Sequence, residues 1–76
     1  MTNSYSHTII NKIYSADPEL LGVQLAKRCV ALNIPVDDVA EHLGVSPMTV
    51  RAWFYGTAAA SAEYAERITD ILKKLS

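Results

Sequence analysis

From residue 18 onward the apolar positions recur at helical spacing in successive runs, each closed by a residue that ends helices. Leu21, Leu25, Cys29 and Leu32 follow at steps of four, four and three and make one apolar stripe. Asp17 is suited to an N-cap and Pro18 to the first helical position, while Asn33 and Pro35 stop the run. This predicts a helix from about Pro18 to Leu32. Residues 36–44, VDDVAEHLG, predict a shorter one, with Val36, Val39, Ala40 and Leu43 inward and Asp37, Asp38, Glu41 and His42 outward. Tyr64, Ile68, Ile71, Leu72 and Leu75 make a last stripe, started by Ser61 and Glu63 and finished by Lys73 and Lys74 where positive charge suits the helix dipole. Towards the N-terminus, HTIINKIY places Ile9, Ile10, Ile13 and Tyr14 at helical spacing, and residues 1–7 read as a frayed polar tail. The pattern predicts an all-α bundle of four or five short helices. It divides into an N-terminal arm with a short helix (1–16) and a main domain (17–76).

The stretch GVSPMTVRAWFYG, residues 44–56, carries the sharpest local signals. Gly44 takes the positive φ of a tight interhelical turn without a Cβ penalty. Ser46 is a strong N-cap, Pro47 fits the first helical turn, and Gly56 closes the helix. At about 100° per residue, Val50, Trp53 and Phe54 share the inner face. Met48, Ala52 and Tyr55 fall opposite them, flanked by Thr49 and Arg51. Ala40, on the preceding helix, is small where the two helices must cross. Two short helices joined by a glycine turn with this pattern make a helix-turn-helix.

VDDVAEHLGVSPMTVRAWFYG resembles the helix-turn-helix of the phage repressor and Cro class of DNA-binding proteins, through Val39, Ala40, Leu43, Gly44, Val45, Ser46, Thr49, Val50, Trp53 and Gly56. With the flanking helices the resemblance spans roughly residues 18–75. It implies a small lambda-repressor-like domain that binds double-stranded DNA as a homodimer and regulates transcription, with the helix Pro47–Tyr55 in the major groove. On that pattern Ser46, Pro47, Met48, Thr49, Arg51, Ala52 and Tyr55 contact DNA, while Lys27 and Arg28 are either phosphate contacts or simply solvated charges, the preferred reading. Tyr5, His7 and Lys12 either form an arm along the DNA or belong to a loose tail, the simpler reading. The dimer interface falls to the last helix (Tyr64, Ile71, Leu75) or the N-terminal segment (Ile9, Ile13, Tyr14). Three positions depart from the class. Val36 stands where a polar phosphate anchor is usual, and Pro47 and Met48 cannot make two-pronged hydrogen bonds to a base.

Charge complicates that picture. The formal net charge is −1, with −3 on residues 36–44 and +1 on residues 45–56. Phosphate attraction, the main source of non-specific binding, is weak for such a distribution. Two other uses therefore stay open: a DNA-recognition module of a viral packaging or recombination complex, and a helix-turn-helix used for protein contact. At 76 residues and 50% hydrophobic the chain supports one modest core, and ten of its residues are alanines that add little volume. A single cysteine, no basic-then-apolar leader and no long apolar run point to a reducing cytoplasm and no membrane span. Cys29 reads as a small buried hydrophobe. No metal-ligand spacing, phosphate loop or catalytic constellation is present, so neither a cofactor, a small-molecule substrate nor an enzyme activity is expected.

Overall fold

The computed structural model describes residues 5–75; the parts of the arm and main domain at residues 1–4 and 76 lie outside it. The described chain forms α1 (His7–Ser15), α2 (Leu21–Leu32), α3 (Val36–Leu43), α4 (Pro47–Phe54) and α5 (Ala62–Leu75), with no strand among the described residues. The all-helical expectation holds, with five helices. α2 is the central element: α1, α4 and α5 all pack on it, and α3 packs on α4. The core between them is built from Ile13 of α1, Val23, Leu25, Ala26 and Cys29 of α2, Leu43 of α3, Val50, Trp53 and Phe54 of α4, and Ile68 of α5.

Three successive helices end in the same device. Asn33 (φ 55°), Gly44 (φ 71°) and Gly56 (φ 72°) are left-handed residues just past α2, α3 and α4. In each case two amides fold back on the helix: Asn33 and Ile34 donate to Val30 and Cys29, Gly44 and Val45 to Glu41 and Ala40, Gly56 and Thr57 to Trp53 and Ala52. This double hydrogen bond is the Schellman arrangement, and it satisfies carbonyls that a helix end leaves unpaired. Each reversal is therefore set by its own local sequence.

α2 and α4 cross with almost no space between them. A Cβ on Gly22 would lie 2.6 Å from the Trp53 carbonyl oxygen and 2.7 Å from Trp53 Cβ. The absence of a side chain at Gly22 lets the Trp53 backbone touch α2, and Trp53 then packs its ring against Tyr64 at 5.4 Å.

Three expectations need correction. α2 starts at Leu21, not Pro18, because Asp17 caps a different structure. Its Oδ1 accepts from the Glu19 amide at 2.9 Å, closing a turn over residues 17–19, while Gln24 Nε2 donates to the Pro18 and Glu19 carbonyls. Leu32 is 49% exposed, so the buried stripe of α2 is Gly22, Val23, Leu25, Ala26 and Cys29. Tyr5 is not part of a loose tail. It is buried, and its hydroxyl donates to the Ile34 carbonyl, tying the chain before α1 to the α2–α3 junction. Burial pushes its ionisation above the ordinary tyrosine range.

Candidate nucleic-acid interface

Ser46 and Pro47 start α4 as their chemistry requires. Ser46 Oγ accepts from the Thr49 amide at 3.2 Å and pairs with Thr49 Oγ1 at 2.9 Å. Both hydroxyls are thus engaged in the cap, on an outward-facing helix start. The eight residues of α4 span about 12 Å, a length that fits the width of a major groove. Val50, Trp53 and Phe54 are buried beneath, and Ser46, Met48 and Arg51 are exposed on the outer side. Met48, at 78% exposed, is the least covered large apolar side chain among the described residues. Pro47, Thr49, Ala52 and Tyr55 are half-buried along the same helix and its end.

The structure also fixes the two helices from outside the motif. Arg67 of α5 donates to the Leu43 and His42 carbonyls at 3.1 and 3.2 Å, neutralising the end of α3 just before the Gly44 turn. Its guanidinium lies 5.8 Å from the Tyr64 ring centre. No periodicity in the sequence announces this contact, since it joins residues 24 apart.

The expected DNA contacts do not all gather on α4. Arg28, read as a phosphate contact or a solvated charge, is turned towards the end of α5, where it donates to the Leu75 carbonyl. Its Nε is buried without a partner among the described residues. Lys27 sits over the Tyr14 ring of α1, 5.1 Å from its centre. Lys12 of α1, in contrast, comes to α4: its ammonium lies over the Tyr55 ring at 5.5 Å. Such an exposed cation–ring contact is worth about 0.5–1 kcal/mol. Arg51 borders a cavity of about 130 Å³ together with Tyr5, Ile9, Val36, Asp37 and Tyr55, so α1, α3 and α4 converge beside it. The carboxylates of Asp37, Asp38 and Glu41 are exposed on α3.

The proposed interface residues separate as well. Ile13 is fully buried, which removes it from a free surface, while Tyr64 is half-buried with its ring tilted against Trp53. Ile71 and Leu75 line an apolar groove of about 220 Å³ with Cys29, Ile34 and Val39, and Asp38, His42 and Lys74 border it. Burial pushes the Cys29 thiol up to about 11, in keeping with its reading as a core residue. Among the described residues no helix is long and apolar enough to cross a membrane. Nor does any group of three or more His, Cys, Asp or Glu there make a candidate metal site.

A family model described as helix-turn-helix, of the Cro/C1 type, matches residues 25–76. No curated protein and no solved structure matches the chain. The matched span covers most of α2 and everything after it, and includes the α3–Gly44–α4 unit described above. More than half of its length lies within that model, and the chain belongs to the Cro/C1-type helix-turn-helix family of DNA-binding domains.

Proposed function

We propose that the protein is a small sequence-specific transcriptional regulator that acts in the cytoplasm, with α4 entering the major groove of duplex DNA. The observation that carries this reading is the outer side of α4, which leaves Met48 and Arg51 exposed on a helix held by the Ser46 cap, the Gly44 turn and Arg67. Met48 makes apolar contact with a thymine methyl, and Ala52 is small enough to bring the helix close to base edges. Arg51 pairs with guanine through two hydrogen bonds, and Ser46, Pro47, Thr49 and Tyr55 border the contact. One eight-residue helix with one cation offers few contacts, so the protein binds two half-sites as a homodimer. Ile71 and Leu75, beside the apolar groove between α2, α3 and α5, support the end of α5 as the dimer face.

The test is a titration of the parent and Arg51→Ala against a selected site and a scrambled duplex at low salt. Arg51→Ala should lose about 1–3 kcal/mol on the selected site and relax preference at one base pair per half-site. Equal affinities of parent and variant for both duplexes would remove Arg51 from base reading. A parent that binds neither duplex overturns DNA binding and favours the second reading, a helix-turn-helix used for protein contact. The exposed carboxylates of Asp37, Asp38 and Glu41 beside α4 are the observation on that side.

A further inference from the structure

The seven lysines and arginines of the chain are not equivalent. Arg28 and Arg67 bond to the final carbonyls of α5 and α3 and are engaged within the fold, Arg28 half-buried and Arg67 exposed. Lys74 borders the groove formed by α2, α3 and α5, and Lys73 precedes it at the end of α5. Lys12, Lys27 and Arg51 remain. Two of these are bound up with α1: Lys12 sits on it and Lys27 lies over its Tyr14.

α3 is the wrong helix to hold a phosphate. Its first turn carries Asp37 and Asp38, and Val36 at its start has no donor in its side chain. A negatively charged strand running past α4 is repelled on that side. α1 instead presents an exposed lysine whose ammonium is already positioned over Tyr55, at the end of α4. The ring faces one side of the ammonium and leaves its remaining donors free for oxygen.

We propose that α1 is a second DNA-contacting element and that Lys12, seated on Tyr55, binds a backbone phosphate next to the groove that α4 enters. This rests on the DNA-binding reading of α4 and adds to it a contact from outside the helix-turn-helix. The division of labour is definite. Arg51 discriminates between bases, whereas Lys12 contributes equally to every sequence because phosphates carry no base information. Tyr55 acts as a positioning residue for the ammonium.

The experiment uses the full chain and measures affinity for a selected and a scrambled duplex across a fourfold range of salt, for the parent, Lys12→Gln and Lys12→Arg. Each phosphate contact contributes a slope of about 0.9 in log affinity against log salt. Lys12→Gln should therefore lose about 3.5-fold less affinity than the parent over that range for each bound protomer. Its low-salt affinity should fall by one common factor on both duplexes, leaving the ratio between them unchanged. Lys12→Arg should restore the parent slope. Lys12 is exposed, and equal thermal melts of all three proteins establish that folding is not what changed. A parent slope retained by Lys12→Gln overturns the phosphate contact while leaving DNA binding by α4 in place. A change in the selected-to-scrambled ratio also overturns it, because a base contact would then be involved. A parent that binds neither duplex overturns the DNA-binding reading itself, and this contact with it.

Discussion

Replacing Gly22 with alanine sets two effects of opposite sign against each other. In the interior of an exposed helix the change would stabilise the chain by about 1 kcal/mol, because alanine has the higher helix propensity. Gly22 is interior to α2 but faces α4 where the Trp53 backbone comes close. The new Cβ would stand 2.6 Å from Trp53 O, 2.7 Å from Trp53 Cβ and 2.9 Å from Trp53 C. All three atoms belong to the backbone or its first carbon, so no side-chain rotation relieves the overlap. α2 and α4 must separate until the contact reaches an ordinary 3.4 Å, and the packing of Trp53 on Tyr64 moves with it. Overpacking of this kind costs about 1–3 kcal/mol, and a clash with backbone belongs at the upper end. Subtracting the propensity gain leaves a net loss of about 2 kcal/mol, or a fall in Tm of about 8–16 °C for a domain of this size. Thermal melts followed by circular dichroism and by the fluorescence of Trp53, the single tryptophan, measure it directly. A variant that melts at or above the parent temperature would refute the reasoning, since propensity would then have won and the close crossing would be absent.

Two further outcomes follow from the backbone and from burial. Nothing lies within 4 Å of a Cβ built on Gly44, so Gly44→Val is strained only by its φ of 71° and should lose about 1–3 kcal/mol; Gly44→Asn should lose clearly less, because Asn33 adopts φ 55° in this same fold. Equal melting of the valine and asparagine variants would contradict this. Tyr5→Phe removes the hydrogen bond to Ile34 and should cost about 1 kcal/mol at neutral pH. Because burial raises the folded-state ionisation of Tyr5 above its ordinary 10.0, the phenol's contribution is complete below that pH and declines as pH rises towards the folded value. Denaturant titrations at pH 8 and above 10 should therefore show the gap between parent and variant narrowing in alkali, and a constant gap would refute the burial argument.

The helix ends of this protein were legible because each is decided by two or three neighbouring residues. Asn33, Gly44 and Gly56 take the left-handed conformation expected of their types, and Ser46 and Pro47 start α4 in the expected roles. The same local chemistry misled at Asp17 and Pro18. An aspartate before a proline can cap a helix or close a turn, and the choice was made here by Gln24, which binds the turn's carbonyls. What escaped sequence reading joins residues far apart. Arg67 holds the end of α3, Arg28 the end of α5, Lys12 rests on Tyr55, and Tyr5 reaches Ile34 across 29 positions. Gly22 belongs with these. A glycine inside an apolar stripe suggests a close approach, but only the crossing of α4 says that Trp53 is what approaches.

A net charge of −1 bears on these functions less than the placement of each charge does. Asp37 and Asp38 favour α3 through its dipole, a stabilisation of about 0.3–1 kcal/mol each that has nothing to do with ligands. Arg67 complements the other end of the same helix, so α3 carries matched charge at both of its termini. The charges that build the helix-turn-helix are thus largely separate from Arg51 and Lys12, which lie beside the outer surface of α4. This separation has a physical consequence. Salt screens exposed cations strongly, whereas the turn is held mainly by the backbone bonds of Gly44 and Val45 and by buried Leu43 and Val50, which salt does not screen. Rising salt should then weaken any contact made by α4 and α1 well before it loosens the turn that presents them, so that loss of binding and loss of fold occur at separate salt concentrations.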